Sequence, residues 1–249
     1  MKAQILGVGH ALPERRLTNQ DLERMVDTSD EWIVERSGIR ERRIADQPTK
    51  CSDLAYQASV MALERAGLSA QQLDLIIVAT ATPDMYFPST ACIVQDLLGA
   101  TNAAAFDLSA GCTGFVYALD IAEKYLLAGD YQYILVIGAE ILTRILDYQD
   151  RNTCVLFGDG AGAAVVGKGS SDYGILSSII GADGSGAKYL CLPAGGSAMP
   201  ASLETVQNRL HYVKMNGPEV FRFATRITSE ISTRVLQKAG FTYNDVDLF

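Results

Sequence analysis

The chain has 249 residues, of which 48% are apolar, and a formal net charge of −8. This length and hydrophobicity suffice for a large buried core in one domain or two, and the acidic surplus argues against nonspecific nucleic-acid binding, which depends on Lys and Arg. No apolar run approaches the length of a transmembrane helix, and the first apolar stretch ends at Pro13 without the layout of a signal peptide. We therefore expect a cytoplasmic protein that binds neither nucleic acid nor membrane.

The cysteines and histidines of the chain do not form a metal-ligand pattern. Its five cysteines are widely spaced and include no C-x-x-C pair, and it has only two histidines. An odd number of scattered cysteines argues against a disulfide framework and suits a reducing compartment. We expect no metal site.

Four arginines gather near the N terminus, at Arg36, Arg40, Arg42 and Arg43. Such a patch can bind a phosphate-bearing ligand or an acidic partner despite the negative net charge. The alternative is a solvated loop in which these side chains pair with neighbouring glutamates.

Short apolar runs alternate with helical periodicities along the first two thirds of the chain, which predicts an α/β fold. The predicted elements are, in chain order, a helix over 52–66, a strand over 73–82, a helix over 88–99, a strand over 104–108 followed by a long helix, a strand over 133–138, and a glycine-rich turn entering a strand over 157–166. The glycine-rich turn lacks the spacing of a phosphate loop, so we do not expect nucleotide binding there.

Cys112 lies between the strand over 104–108 and the helix that follows it. Unpaired backbone N–H groups and the positive end of the helix dipole favour a thiolate at such a position, and the thiolate is the nucleophilic form. This placement makes Cys112 a candidate nucleophile. The alternative is a small buried side chain, since free cysteine is among the most buried residue types.

A sequence repeat links the two parts of the chain. Residues 65–76 (RAGLSAQQLDLI) are echoed by residues 238–249 (KAGFTYNDVDLF), and the helices before them share their apolar spacing. The matched apolar positions are Leu54, Ala58 and Ala62 in the first copy and Ile227, Ile231 and Val235 in the second. This pattern predicts a duplicated α/β unit, with halves at 1–170 and 171–249. Because the first copy continues into a strand, we expect the second to stop inside one at Phe249 and the chain to be a fragment.

Five segments together resemble the β-ketoacyl-acyl-carrier-protein synthase III enzymes of the thiolase fold. They are 28–33 (TSDEWI), 37–42 (SGIRER), 106–115 (FDLSAGCTGF), 157–163 (FGDGAGA) and 215–221 (MNGPEVF). The resemblance implies a five-layer α-β-α-β-α fold built from two duplicated halves, the second incomplete here, and a homodimer. It also implies an acyltransferase that initiates fatty-acid synthesis. Cys112 would take an acyl group from acyl-CoA and condense it with malonyl-acyl-carrier protein, giving 3-oxoacyl-acyl-carrier protein and CO2.

The resemblance also assigns roles to individual residues. It makes Cys112 the catalytic residue. Coenzyme A, which is a substrate rather than a cofactor, would be bound by Thr28, Trp32, Arg36 and Arg151. An indole and a guanidinium would sandwich the adenine. The acyl pocket and the pantetheine tunnel would involve Phe87, which the family presents across the dimer interface, and Leu142, Leu156, Phe157, Met215, Gly217 and Phe221.

The resemblance leaves one family feature unmatched. The family uses a His and an Asn for decarboxylative condensation, and neither of the two histidines here occupies the corresponding place. We therefore expect the 249-residue chain to be inactive in condensation. Two alternatives share the motifs, namely a starter-unit ketosynthase or acyltransferase of a secondary pathway and a non-catalytic module that binds acyl-CoA or a carrier protein.

Overall fold

The structure, a computed structural model, describes residues 2–169 and 173–249. The strands in these residues are β1 (Lys2–Ala11), β2 (Arg16–Thr18), β3 (Glu41–Arg43), β4 (Leu75–Ala79), β5 (Ala104–Leu108), β6 (Tyr133–Ile141), β7 (Asp159–Gly169), β8 (Leu190–Cys191) and β9 (Lys214–Met215). The helices are α1 (Asn19–Glu23), α2 (Asp30–Ser37), α3 (Cys51–Ala66), α4 (Thr90–Leu98), α5 (Gly114–Ala128), α6 (Arg151–Cys154), α7 (Leu203–Gln207) and α8 (Gly217–Ala239). Short 3-10 turns occur between several of them.

The chain divides into two compact units, each assembled from several segments. Unit 1 comprises 1–15, 43–141 and 159–180, and unit 2 comprises 16–42, 142–158 and 181–249. These units do not coincide with the predicted halves, because segments of the first half contribute to unit 2. The predicted boundary at 170/171 lies outside the described residues, so the two halves stay a proposal about the repeat.

Unit 1 contains a five-stranded mixed sheet in the order β1-β7-β6-β4-β5. Strand β4 pairs in parallel with both β5 and β6, whereas β7 runs antiparallel to its neighbours β6 and β1. The parallel part places the carboxyl ends of β5, β4 and β6 at one edge of the sheet.

Helices cover both faces of this sheet. Side chains alternate along β4, so Ile76 and Val78 pack with α3 and α4, while Leu75 and Ile77 pack with α5. All four side chains are buried, as expected for a strand enclosed on both faces. Unit 1 therefore forms three layers, helix, sheet and helix. The predicted helices and strands of this region are confirmed, although β4 is shorter than the predicted run over 73–82.

Unit 2 contains the two-stranded pairs β2–β3 and β8–β9 and the long helix α8. The predicted strand at the end of the second repeat is wrong, because residues 246–249 form no strand and Leu248 and Phe249 are exposed. An isolated strand is unstable without a paired neighbour, and no strand in the described part of unit 2 pairs with these residues.

The repeat is nevertheless visible in local structure. Helix α3 ends at Gly67 and α8 ends at Gly240, and both glycines adopt the left-handed conformation. A 3-10 turn follows each one, opened by Ser69 N donating to Gln72 Oε1 (2.9 Å) in the first copy. In the second copy, Thr242 N donates to an Asp245 carboxylate oxygen (2.8 Å).

None of the helices in the described residues combines the length and hydrophobicity needed to cross a membrane.

Strand β1 packs against α3 at a distance that only glycine permits. A Cβ atom at Gly9 would lie 2.1 Å from the carbonyl oxygen of Ala58. The nearby helix residues Ala58 and Ala62 are themselves small and fully buried. The closest part of the helix–sheet interface therefore requires residues with a small side chain or none.

We expect Gly9→Ala to lower the free energy of unfolding by about 1–3 kcal/mol or more, because the added methyl group must push α3 away from β1. The matched control is Gly162→Ala on β7, where an added Cβ meets no atom within 4 Å. Urea unfolding of both variants measures the difference, and equal stabilities would contradict the packing argument.

Candidate active site

Cys112 lies on a tight turn of unit 1 that joins β5 to α5. The turn is a 3-10 helix over Gly111–Thr113, and Gly111 has a φ of +53°, in the left-handed region that favours glycine. Thr113 donates to the carbonyl oxygen of Ala110 from its backbone N (3.3 Å) and from its hydroxyl (3.0 Å). The thiol therefore lies at the N-terminal end of a 15-residue helix, as predicted.

Contacts on either side of the turn fix its position in unit 1. The first residue of α5, Gly114, approaches β4 so closely that a Cβ there would lie 3.0 Å from the Cβ of Ala79. At the end of β5, Thr80 N donates to the carbonyl oxygen of Leu108 (3.1 Å). Before it, Asp107 accepts hydrogen bonds from the backbone at the start of α4 (2.7 Å).

The cysteines differ sharply in environment. Cys112 and Cys92 are exposed, whereas Cys51 and Cys154 are buried. Burial raises the pKa of Cys51 to about 12 and also raises the pKa of Cys154, so both stay protonated thiols at neutral pH. The alternative reading of Cys112 as a small buried side chain is thus wrong for this structure, and Cys92 offers a matched exposed cysteine for experiments.

Trp32 and Arg151 of unit 2 lie against each other. Trp32 is on α2, whose N-cap Ser29 accepts a hydrogen bond from Trp32 N (3.1 Å). The guanidinium carbon of Arg151 is 4.7 Å from the centroid of the indole ring, and that of Arg36 is 6.0 Å from it. Arg151 also donates to the carbonyl oxygen of Asp27 (2.6 Å). These distances are those of cation–π contacts.

A cavity of about 410 Å³ opens beside Trp32 within unit 2. The predicted residues that line it are Trp32, Arg36, Leu156, Met215 and Gly217. Sequence reasoning missed the other lining residues, which are Ile33, Ser37, Asn152, Val155, Asn216 and Pro218. Each of these residues is adjacent in sequence to a predicted residue, which was the only available signal. The volume is within the range of small-molecule sites, and the lining combines apolar surface with a few polar groups.

Other predicted residues lie elsewhere. Phe87 of unit 1 is 84% exposed. Leu142 and Phe157 of unit 2 are half-buried and are not among the residues that line the cavity in the described structure. Phe221 lines a second, shallower groove of unit 2 along α8, with Tyr243 and Phe249. The structure therefore does not bring Phe221 to the cavity that contains Met215 and Gly217.

Thr28 has an unusual hydroxyl. Its oxygen is buried, yet it makes no hydrogen bond to any atom of residues 2–169 and 173–249. A buried polar atom without a partner costs free energy, and a ligand that supplies a partner recovers it. This observation fits the ligand-binding role that the resemblance assigns to Thr28.

The predicted basic patch does not form as a single surface. Arg42 is only 4% exposed, and Arg43 is half-buried and donates to the carbonyl oxygen of Pro13 (2.9 Å). Only Arg36 and Arg40 of the four are exposed. The hypothesis that all four arginines form one patch for a phosphate-bearing ligand or an acidic partner is therefore wrong, because the guanidinium groups of Arg42 and Arg43 are used inside the fold.

A buried carboxylate holds the turn that precedes the cavity residue Met215. Asp147 accepts hydrogen bonds from Arg209, through its Nε at 2.8 Å and through its Nη2, and lies 3.9 Å from the Nζ atom of Lys214. The hydrogen bonds from Arg209 hold the pKa of Asp147 below its usual range. Arg209 itself has a φ of +55°, so a strained backbone position is fixed by an ion pair.

We expect Asp147 to contribute to the free energy of unfolding near neutral pH and to lose this contribution at acidic pH. Because the folded-state pKa is lower than the unfolded value of about 3.9, the ionised group stabilises the fold above that value and loses its effect as pH falls through the folded pKa. Asp147→Asn should therefore be destabilising by a constant amount from about pH 5 to 7, and the difference from wild type should shrink below about pH 4. Urea unfolding across this range checks it, and a pH-independent difference would contradict it.

Comparison with known proteins identifies the family. The chain is 67% identical over all 249 residues to the β-ketoacyl-[acyl-carrier-protein] synthase III of Syntrophomonas wolfei, of which it covers 75%. The chain belongs to the β-ketoacyl-acyl-carrier-protein synthase III family. The family model for 3-oxoacyl-[acyl-carrier-protein] synthase III matches residues 106–184, which include Cys112 and Arg151.

Solved structures of synthase III enzymes share the fold. The 3-oxoacyl-[acyl-carrier-protein] synthase III of Aquifex aeolicus superimposes with a TM-score of 0.89 at 46% identity, over 99% of this chain and 75% of that chain. The priming β-ketosynthase of the R1128 polyketide pathway gives a TM-score of 0.89 at 35% identity, over 98% and 72%. The predicted family and thiolase-like fold are thus confirmed.

This chain spans about three quarters of the length of these relatives. The expectations that it is a fragment and that it lacks the family His and Asn stay predictions.

Proposed function

We propose that this member of the synthase III family transfers an acyl group from acyl-CoA to Cys112 and condenses it with malonyl-acyl-carrier protein. The thiolate of Cys112 attacks the thioester carbonyl carbon, and the tetrahedral intermediate collapses with loss of the coenzyme A thiolate. Loss of CO2 from the malonyl group then provides the carbanion that attacks the Cys112 thioester. This second attack gives the 3-oxoacyl carrier thioester and restores the Cys112 thiolate.

The observation that carries this proposal is the environment of Cys112, an exposed thiol on a fixed strand-to-helix turn in a chain of this family. The N-terminal end of α5 supplies the positive end of a helix dipole, which stabilises an oxyanion. Cys51 also begins a helix, α3, but it is buried, and Cys154 is buried at the end of α6. Exposure makes the thiol accessible to a thioester, and the fixed turn limits its orientations.

The cavity of unit 2 is the proposed coenzyme A site. Trp32 and Arg151 would enclose the adenine, Arg36 would meet phosphate groups, and Met215 and Gly217 would contact the pantetheine chain. Leu142, Leu156, Phe157, Phe87 and Phe221 keep their proposed roles along the acyl pocket and tunnel. The cation–π pair, the cavity lining and the unpaired Thr28 hydroxyl support this assignment.

We expect Cys112→Ser to abolish acyl loading, lowering its rate at least about 1,000-fold, because the serine hydroxyl remains un-ionised and lacks the nucleophilicity of a thiolate. Intact-mass spectrometry after incubation with acetyl-CoA measures the gain of one acetyl group. The matched control is Cys92→Ser, which removes another exposed thiol and should load normally. Acetylation retained in Cys112→Ser would reject Cys112 as the nucleophile.

Condensation is tested separately on the acetylated chain. Addition of malonyl-acyl-carrier protein should leave the acetyl label on Cys112 if the chain lacks the family His and Asn, and should release it as a 3-oxoacyl product if equivalent groups are present. The similarity to a priming ketosynthase of a polyketide pathway favours a starter-unit enzyme as the second candidate. The acyl-CoA donor that loads Cys112 would separate this candidate, which belongs to secondary metabolism, from an enzyme of primary metabolism. A cytoplasmic location stays a prediction.

We also propose a homodimer. Strand β5 is an edge strand of the sheet in unit 1, and Tyr86 and Phe87 of the same unit are 80% and 84% exposed. Unpaired strand edges and exposed aromatic side chains are both typical of surfaces that a partner covers. Sedimentation equilibrium should give a dimer mass, and Phe87→Ser should weaken the association about tenfold or more. A monomer mass at micromolar concentration would contradict the proposal.

A further inference from the structure

Arg42 is a buried cation in unit 2 that bonds to neutral groups. Its Nε and Nη2 atoms donate to the carbonyl oxygen of Val155 at 3.0 and 2.6 Å. Its Nη1 atom donates to the side-chain oxygen of Asn19 at 2.6 Å. Arg42 is 4% exposed, and this burial lowers the pKa of the guanidinium. Three directed donors therefore fix Arg42 between two separate segments of the chain.

Asn19 extends this network to the start of α2. Its side chain is fully buried, and its Nδ2 atom donates to a carboxylate oxygen of Asp30 (2.6 Å) and to the carbonyl oxygen of Ile39 (2.9 Å). Asp30 is the first residue of α2 and lies two positions before Trp32. The side chains of Asp30 and Arg42 are thus hydrogen-bonded to the same amide group, that of Asn19.

Val155 connects the other end of the network to Arg151. It is the residue after α6, the four-residue helix that begins at Arg151. Carbonyl groups at a helix C terminus have no partner within the helix, and a guanidinium with two N–H donors is well suited to satisfy one. Val155 and the following Leu156 also line the cavity beside Trp32. The network therefore ends on the two elements that carry Trp32 and Arg151.

Joining two segments through a buried charge costs free energy, because the charge loses its hydration. Apolar side chains of similar volume often give equal or greater stability than buried ionic groups. What the guanidinium provides is direction, because its planar fork fixes the distance and angle between the groups that it bonds. The Arg42 network therefore helps to fix the positions of α2 and α6 in unit 2.

We propose that Arg42 is a positioning residue for ligand binding, which sets the spacing between Trp32 and Arg151. This proposal rests on the proposed coenzyme A site. An adenine between the indole and the guanidinium needs about 7 Å, two contacts of roughly 3.5 Å each, whereas the guanidinium carbon now lies 4.7 Å from the ring centroid. The Arg151 side chain must therefore move outward while the Arg42 network holds the backbones of α2 and α6 in place.

The chain provides its own reporter, because Trp32 is its only tryptophan. Titration of the full chain with coenzyme A, followed by Trp32 fluorescence, gives the Kd directly. Arg42→Lys keeps the charge but loses the fork, so we expect the Kd to rise about tenfold. Arg24→Lys is the matched control, since Arg24 is exposed and pairs only with Asp21 of α1 in the described contacts; its Kd should stay unchanged.

Two further readouts separate positioning from general destabilisation. Acetyl-CoA titration of Cys112 loading should show a higher KM for Arg42→Lys with an unchanged rate at saturation, under conditions where circular dichroism shows a folded chain. Acrylamide quenching of Trp32 without ligand should increase, because a loosened α2 exposes the indole. Asn19→Ala interrupts the network at its middle, and it should raise the Kd in the same way and add little to Arg42→Lys. If Arg42→Lys does not fold, Asn19→Ala decides the question.

The outcomes distinguish this inference from the function on which it rests. A wild-type chain whose Trp32 fluorescence does not respond to coenzyme A would reject the proposed coenzyme A site and the inference with it. A wild-type chain that binds, with folded Arg42→Lys and Asn19→Ala variants that bind equally well, would overturn the role of Arg42 alone.

Discussion

The burial of β4 and β6 on both faces is the constraint on which unit 1 depends. Strands enclosed in this way need helices on each side, and parallel neighbours can be connected only by crossovers. Each crossover leaves the sheet at the carboxyl edge of a strand. The turn that carries Cys112 is the start of one such crossover, so its location follows from the way the sheet is covered. Packing of Gly114 against Ala79 then removes the remaining freedom of the turn.

The same edge of the sheet contains a second fixed turn. Glu140 of β6 accepts hydrogen bonds from Ala81 N (2.8 Å) and from the Thr82 hydroxyl (2.5 Å), and the Thr82 hydroxyl in turn accepts from Ile141 N (2.8 Å). Burial raises the pKa of Glu140. Hydrogen bonds from the turn after β4 offset part of the cost of burying this carboxylate. Unit 1 thus fixes the edge that carries the candidate nucleophile by packing and by local polar contacts.

Much of unit 1 could be predicted from sequence because its signals are local. The apolar run of β4, the cap glycines and the strand-to-helix turn at Cys112 each follow from a few neighbouring residues. The repeat also predicted a helix before its second copy, and α8 (Gly217–Ala239) lies there. It did not predict burial, since Leu54 of α3 is buried whereas the matched Ile227 of α8 is only half-buried. Burial depends on the partners of a helix, which the repeat does not specify.

The basic segment shows where sequence reasoning fails. Arg36, Arg40 and Arg42 look equivalent along the chain, yet two are exposed and Arg42 is enclosed with Val155, which lies 113 positions away. Asp147 and Arg209 are likewise 62 positions apart. Long-range polar contacts of this kind leave no periodicity, because each needs only one residue of the right type at each end.

The proposed function makes different physical demands on the two units. An attacking thiol gains from a fixed position, since misplacement by about 1 Å can cost a hundredfold in rate, and close packing around Gly114 provides that. The proposed entry of adenine between Trp32 and Arg151 would instead require the Arg151 side chain to move while its backbone stays in place. Directed hydrogen bonds from a buried guanidinium suit this combination, because they hold the main-chain carbonyl of Val155 and do not involve the Arg151 side chain. The proposed coenzyme A site would thus account for a buried charge at Arg42 that is costly for stability.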